Sequence, residues 1–221
     1  MPRLLPWFLA AALTWTPAFA APIPDPVGDF LPTYTGAQDP GLDIVSASAL
    51  FDGNNFTFSS TSNGAIGLVG SLYVFGIDRG AGTPRLASGS PSIGASVLWD
   101  AVAILFPDGT GRIVTFPTAG APSITTLPGA VTVSGNTISG IFSASLLPST
   151  GFTPGNYTFT EWSRLRVSPG ADGTNAEIAD FAAAGTRIAA VPEASTWAMM
   201  IMGFGMTGNL LRRRRKFVTA M

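Results

Sequence analysis

The stretch from Leu42 to Thr61, LDIVSASALFDGNNFTFSST, decides the fold class of this chain. Apolar side chains alternate with small or polar ones on both sides of the turn sequence DGNN, residues 52–55. Alternation with a period of two is typical of a half-buried β-strand, and an Asp-Gly turn between two such strands indicates a hairpin. Phe56 and Phe58 then lie on the same face, which we expect to be the core face.

The same pattern continues to about Val191. Residues 66–78, IGLVGSLYVFGID, form a long apolar run that is typical of a central strand. Two more hairpins are predicted over residues 97–116 and 130–147, and a late strand over residues 156–167. Strands at intervals of about ten residues indicate an all-β fold, and we expect a single β-sandwich of the jelly-roll or immunoglobulin-like type. Only Ala176–Ala184 has helical character.

Composition excludes several kinds of catalytic site. The 221 residues include no Cys and no His. The chain therefore cannot form a disulfide, a Ser-His-Asp or Cys-His nucleophilic site, or a zinc site that combines imidazole with thiolate. Carboxylate chemistry and oxygen-ligated calcium remain open. We expect a protein that is not an enzyme and has no cofactor, with calcium as the possible exception.

Charge separates the middle of the chain from its end. Residues 21–191 contain six basic and twelve acidic side chains, a net charge of −6, although the whole chain carries only −1. Nucleic-acid binding requires clustered positive side chains, so we expect no nucleic-acid partner.

The first twenty residues resemble a secretory signal peptide. Arg3 precedes an apolar run from Leu4 to Trp15, and a small-x-small site, Ala18–Ala20, follows. The run is shorter than the roughly 20 residues that a membrane-spanning helix needs. We therefore expect export and cleavage after Ala20.

The other end of the chain has a second apolar segment. Trp197–Leu211 contains no ionisable residue and would span about 22 Å as a helix, which is shorter than the hydrocarbon core of about 30 Å. We predict a short transmembrane helix with a stop-transfer cluster on its cytoplasmic side. The cluster consists of Arg212, Arg213, Arg214, Arg215 and Lys216.

Four residues just before this segment and at its start carry a resemblance to a known family. The order of Pro192, Glu193, Trp197 and Ala198, then the apolar segment and the basic cluster, resembles the PEP-CTERM sorting tail in its PEPxxWA variant. Ala194 stands where the family name expects proline. The resemblance implies that these four residues are recognised by an exosortase, a membrane transpeptidase, and that the membrane anchor is transient.

The predicted organisation has four parts. They are a signal peptide (1–20), an extracellular all-β domain (21–190), the sorting tail (191–216) and a cytoplasmic end (217–221). The resemblance implies a protein of the cell envelope, the cell surface or the surrounding medium, with exopolysaccharide as a possible partner.

An acidic group before the first confident strand is a candidate calcium site. Its members are Asp25, Asp29, Asp39 and Asp43. Carboxylate oxygens are the ligands that calcium prefers, although Asp beside Pro and Gly is also ordinary turn chemistry. Both interpretations stay open at this point.

Two tryptophans and two carboxylate pairs suggest alternatives. Trp99 and Trp162 are candidate platforms on which a sugar could stack, although aromatic residues within strands are more often core residues. Glu161 with Glu177 or Asp180 could form the acid pair of a glycoside hydrolase, which needs two carboxylates at a defined separation. The favoured expectation is a structural or adhesive matrix protein linked to exopolysaccharide or biofilm. A carbohydrate-binding or calcium-binding module is the alternative.

Overall fold

The structure, a computed structural model, describes residues 22–87, 94–166, 175–190 and Phe204. Short 3-10 turns lie at Pro40–Leu42, Ala144–Leu146, Pro154–Asn156 and Asn175–Glu177. The strands are β1 (Ile23–Pro24), β2 (Ile44–Phe51), β3 (Asn55–Ser62), β4 (Ser71–Asp78), β5 (Thr83–Leu86), β6 (Gly94–Trp99), β7 (Ala101–Leu105), β8 (Thr110–Thr115), β9 (Ser123–Pro128), β10 (Val131–Ser134), β11 (Thr137–Ser143), β12 (Thr158–Leu165), β13 (Ile178–Arg187) and β14 (Ala189–Ala190).

Two six-stranded sheets form a sandwich. In sheet A the order is β1-β2-β3-β11-β10, and β14 also pairs with β2. In sheet B the order is β13-β12-β4-β7-β8-β9. Every pairing is antiparallel except that of β14 with β2, which is parallel. Since β3 occupies one side of β2, the two short strands β1 and β14 share the other side.

Aromatic side chains from both sheets meet in the core of the sandwich. Phe58 of sheet A packs against Phe75 of sheet B, with ring centroids 5.0 Å apart, and both residues are fully buried. Phe142 and Phe159 extend this contact on either side. Each such ring buries roughly 150–250 Å² of surface, so these contacts hold the two sheets together.

A two-stranded ribbon covers the outer face of sheet B. The ribbon consists of β5 and β6, and it encloses a second apolar cluster. Trp99 of β6 and Trp162 of β12 belong to this cluster, with ring centroids 5.9 Å apart. As a result β4 is buried on both faces along all eight residues.

The predicted all-β sandwich and its hairpins are confirmed. β2 and β3 form the first hairpin, and Phe56 pairs with Phe51 where the turn closes. β7 with β8 and β10 with β11 form the other two hairpins. The predicted hairpin over residues 97–116 starts too early in the sequence. Val97–Trp99 belong to β6 in the ribbon, and the chain passes from the ribbon to sheet B at Asp100.

The helical expectation for Ala176–Ala184 is wrong. Apart from a 3-10 turn that ends at Glu177, this segment lies in β13, which pairs with β12. The pairing of β13 with β12 has two irregularities. At one of them three residues of β13, 183–185, lie opposite the single residue Thr160 of β12. This bulge includes Gly185, whose φ is +67°. Alanine favours helices locally, but the edge of a buried sheet decides the conformation here.

The close contact between Gly76 and Trp162 gives a testable prediction. A Cβ atom at Gly76 would lie 2.8 Å from Cζ3 of Trp162 and 3.1 Å from Cγ2 of Thr160. We expect Gly76→Ala to lower the free energy of unfolding by about 1–3 kcal/mol because the indole has to move. Urea unfolding measures this value. Gly67→Ala is the matched control, since a Cβ there meets no atom within 4 Å. Equal stability of the two variants would contradict the prediction.

The predicted export segments fall outside this domain. The helical turns in the described part of the chain lack the length and apolar character that a membrane-spanning segment needs. The predicted signal peptide (1–20) lies outside the described residues. So do the predicted sorting residues, membrane segment and basic cluster (192–216), with the exception of Phe204.

Candidate functional site

Three aspartates meet at the edge of the sandwich where β1 and β13 approach each other. Carboxylate oxygens of Asp25, Asp29 and Asp180 all lie within 4.8 Å of one another. Asp180 is buried, Asp25 is partly buried and Asp29 is exposed, so the group extends from the core to solvent. We call Asp25, Asp29 and Asp180 the acidic cluster.

A tight turn places the first two members of the acidic cluster side by side. The turn lies between Asp25 and Asp29 and contains Gly28, whose φ of +81° is a conformation that glycine adopts without strain. The Gly28 amide donates to both carboxylate oxygens of Asp43, at 2.9 and 3.0 Å. The amide of Leu31 donates to the carbonyl oxygen of Ala179 at 2.8 Å. This last bond ties the segment after the turn to β13, the strand that carries Asp180.

The third member, Asp180, is held by the backbone around it. Its Oδ2 accepts a hydrogen bond from the Ile44 amide and its Oδ1 accepts one from the Phe181 amide, both at 2.7 Å. Burial nevertheless raises the pKa of Asp180 to about 7, and the charges of Asp25 and Asp29 add to the rise. Burial, followed by the charges of Asp29 and Asp43, raises the pKa of Asp25 to about 6.

A fourth carboxylate lies beneath the acidic cluster. Glu161 is completely buried, and neither of its carboxylate oxygens has a hydrogen-bond partner. On β12 it pairs with Ala182 and is therefore the diagonal neighbour of Asp180 on the core face of the sheet. Burial raises the pKa of Glu161 well above its usual value, the charges of Asp180 and Asp25 raise it further, and the nearby Ser60 hydroxyl only partly offsets this.

The structure brings together part of the acidic group that the sequence suggested. Asp25 and Asp29 meet as expected. Asp39 instead caps the 3-10 turn at Pro40, where it accepts from the Gly41 amide at 2.7 Å. Asp43 uses both oxygens to hold the turn and also accepts from the Asn63 side chain. Asp180 takes the place of these two residues, and it is 151 residues further along the chain than Asp29.

The candidate hydrolytic pairs have different environments. Glu177 forms an ion pair with Arg164 at 2.5 Å. Glu161 and Asp180 do lie together, but they are 0% and 1% exposed. A carboxylic acid that protonates a glycosidic oxygen has to reach the substrate, and neither side chain offers a surface for this contact.

The two candidate stacking residues are part of the core. Trp99 is 8% exposed and Trp162 is 4% exposed, because both lie in the apolar cluster between the β5–β6 ribbon and sheet B. Trp162 also stacks on Phe181, with centroids 6.0 Å apart. A sugar stacks on an exposed ring face, and these indoles present none. Their role is to pack the ribbon against sheet B.

The last described strand, β14, ends two residues before Pro192, the first of the predicted sorting residues. β14 pairs Ala189 with Leu50 and Ala190 with Phe51, and Pro192 follows two residues later. An extended chain covers at most about 3.6 Å per residue, so Pro192 is within about 7 Å of the end of the sheet. Only residue 191 therefore separates β14 from the predicted sorting residues in the sequence.

Comparison with known proteins identifies this last segment. Residues 190–216 match the family model described as the PEP-CTERM protein-sorting motif. No curated protein and no solved structure matches the chain. The chain therefore carries a PEP-CTERM protein-sorting motif, the signal of an exported protein that an exosortase sorts through the membrane to the cell surface.

Proposed function

We propose that this protein is a non-enzymatic structural or adhesive component of the cell surface or its extracellular matrix. The observation that carries the proposal is the PEP-CTERM motif that follows the last strand of an all-β domain. The fold supports it, because a sandwich of this kind keeps its shape without disulfides by burying aromatic side chains between its sheets. The signal-peptide-like sequence of residues 1–20 provides the route of export.

The sorting tail works in two steps in this proposal. The apolar segment Trp197–Leu211 and the basic cluster after it hold the exported chain in the cytoplasmic membrane for a time. An exosortase then recognises Pro192, Glu193, Trp197 and Ala198, cleaves near them and frees the domain from the anchor. Because Pro192 lies so close to β14, the enzyme has to work within a few residues of the folded sheet.

The Pro192→Ala, Glu193→Ala double variant tests this processing. In the native host we expect the wild type to lose residues 1–20 and the basic tail, and the variant to lose residues 1–20 only and to stay in the membrane fraction. Intact mass and cell fractionation measure both effects. The Ser195→Ala, Thr196→Ala variant is the control, because it changes the two unspecified positions of the same motif. A wild type that keeps Arg212 and still fractionates with membranes would show a permanent anchor.

The outer face of sheet A supports contact with exopolysaccharide. Pairing across four strands places hydroxyl side chains in two transverse rows. The rows are Ser48, Ser59, Ser139 and Thr132, and Ser46, Thr61, Thr137 and Ser134. Neighbouring strands lie about 4.8 Å apart, so each row extends over about 14 Å, the length of a few sugar units. Rows of uncharged hydroxyl groups suit a polymer that is itself rich in hydroxyl groups.

Binding to the host's exopolysaccharide tests this partner. We expect Ser59→Lys with Ser139→Lys to weaken binding severalfold in a pull-down, because two bulky cations then stand in the middle of one row. Both hydroxyls are partly exposed and hydrogen-bond only to each other, at 2.8 Å, so the fold should tolerate the change. Ile124→Lys, on an exposed position of β9 in the other sheet, is the control. Equal binding by all three proteins would remove this face from the proposal.

A further inference from the structure

The acidic cluster concentrates negative charge without a basic partner. Asp25, Asp29 and Asp180 meet within 4.8 Å, and Glu161 adds a fourth carboxyl group beneath them. In the described ranges the ion pairs are Arg79 with Asp100 and Arg164 with Glu177, and neither involves this group. Like charges at such separations repel strongly when they are partly buried. A bound cation would relieve this repulsion.

The spacing of the oxygens matches the size of a calcium ion. Calcium binds oxygen at about 2.3–2.6 Å, so two oxygens on opposite sides of one ion lie about 4.6–5.2 Å apart. The three carboxylates of the acidic cluster stay within 4.8 Å and can therefore contact the same ion. The exposed position of Asp29 leaves room for the water molecules that would complete a coordination number of six to eight.

Unpartnered buried oxygens provide a second, independent indication of a ligand. Both oxygens of the completely buried Glu161 lack a hydrogen-bond partner, and so does the buried Oδ2 of Asp25. Buried polar atoms are nearly always hydrogen-bonded, and an exception needs an explanation such as an ion. Glu161 lies on the core face diagonally next to Asp180, the innermost member of the acidic cluster. Three of the ten unpartnered buried side-chain atoms in the described part of the chain thus belong to Asp25 and to Glu161 beside the acidic cluster.

We propose that Asp25, Asp29 and Asp180 bind one calcium ion, with the buried carboxyl group of Glu161 beside the site. All the ligands are oxygens, which suits a hard cation. Calcium is favoured over magnesium because it accepts irregular geometry, whereas magnesium requires a near-ideal octahedron. The ion connects the turn after β1 with β13 and so joins the two ends of the domain. The site does not depend on the sorting tail.

Thermal unfolding of the full chain, purified in mild detergent after treatment with a chelator, tests the site. Addition of calcium chloride to about one hundred times the dissociation constant should raise the Tm by about 5–10 °C, because the ion binds only the folded state. Equilibrium dialysis should find one calcium ion per chain. The same concentration of magnesium chloride should produce a smaller shift.

Asp29→Asn and Asp180→Asn should each fold and lose most of the calcium-induced shift. The first changes an exposed side chain. The second keeps the shape of the side chain and loses one of the two oxygens that accept from the Ile44 and Phe181 amides, so the Asp29 variant is the cleaner test. Asp39→Asn is the matched control, since an asparagine can cap the 3-10 turn equally well, and it should keep the full shift. An unchanged Tm of the wild type in calcium would overturn the proposal. So would a shift that survives in both the Asp29 and the Asp180 variants.

Discussion

Replacement of Asp100 by alanine is expected to lower the free energy of unfolding by about 3–5 kcal/mol. Asp100 forms an ion pair with Arg79 at 2.9 Å, and the two side chains are only 2% and 3% exposed. Removal of one partner leaves the other charge buried and uncompensated, which is the costly way to break such a pair.

The loss extends beyond the ion pair because Asp100 lies where the chain passes from β6 to β7. Its carboxylate also accepts hydrogen bonds from the amides of Arg79 and Ala81 and from the Thr150 hydroxyl. Arg79 in turn donates to the carbonyl oxygens of Pro148 and Asp100. The pair therefore fastens the 148–150 loop to the point where the ribbon leaves sheet B.

Urea unfolding of the wild type and the Asp100→Ala variant measures this effect. Asp78→Ala is the control, because Asp78 is the acidic residue adjacent to Arg79 in sequence. It accepts from the amides of Gly80 and Gly82 and forms no ion pair, so we expect a loss of only about 1–2 kcal/mol. A loss in the Asp100 variant no larger than in the Asp78 variant would show that the ion pair adds nothing to stability.

Glu161→Gln is expected to stabilise the calcium-free protein at neutral pH. Groups from four elements face Glu161: Asp180 on β13, Asp25 after β1, Tyr73 on β4 and Ser60 on β3. None of them is a cation, so the folded protein keeps Glu161 protonated at a pH where the unfolded chain has released the proton. Burial raises the pKa of Tyr73 as well, so it remains a neutral phenol.

The sign of the pH dependence follows from the number of bound protons. Because the pKa of Glu161 is raised in the folded state, that state binds more protons than the unfolded chain above pH 4.5, the ordinary value for this group. The contribution of this group to stability then falls as the pH rises above that value, by at most about 1.4 kcal/mol per pH unit. Glutamine does not titrate, so the variant avoids this loss.

Unfolding at pH 4 and pH 7 in the presence of a chelator distinguishes the two proteins. Wild type and Glu161→Gln should be about equally stable at pH 4, and the variant should be more stable at pH 7. Glu177→Gln is the matched control because Glu177 is ion-paired with Arg164, and this variant should be less stable than the wild type at pH 7. A Glu161→Gln variant that is no more stable than the wild type at pH 7 would contradict a raised pKa of Glu161 in the folded protein.

The parts of the fold that depend on near neighbours were predictable from the sequence. The hairpin of β2 and β3 follows from the alternating pattern and the turn at Asp52, whose carboxylate accepts from the amides of Asn54 and Asn55. β4 follows in the same way from its uninterrupted apolar run. The sorting motif was also readable, because its residues are close together in the chain.

Contacts between distant segments were not predictable in this way. Trp99 is buried because the ribbon to which it belongs packs on sheet B, and an alternating pattern gives no sign of which face of a ribbon will meet another sheet. Asp180 lies in a segment that looks helical by composition, and only its pairing with β12 brings it to Asp25. The sequence did contain one sign that Asp180 has a special role. A lone Asp between Ala179 and Phe181 in an apolar run is unusual unless another group binds its carboxylate.

The position of β1 and β14 on one side of β2 has a mechanical consequence. Ile23 pairs with Ala47 and Ala189 pairs with Leu50. The first and the last described strands therefore contact β2 only about 10 Å apart along its length. A domain tethered through its C-terminal end carries any drag from the surrounding fluid through that one edge. Since β14 runs parallel to β2, a pull along the strand shears its hydrogen bonds together instead of opening them one at a time.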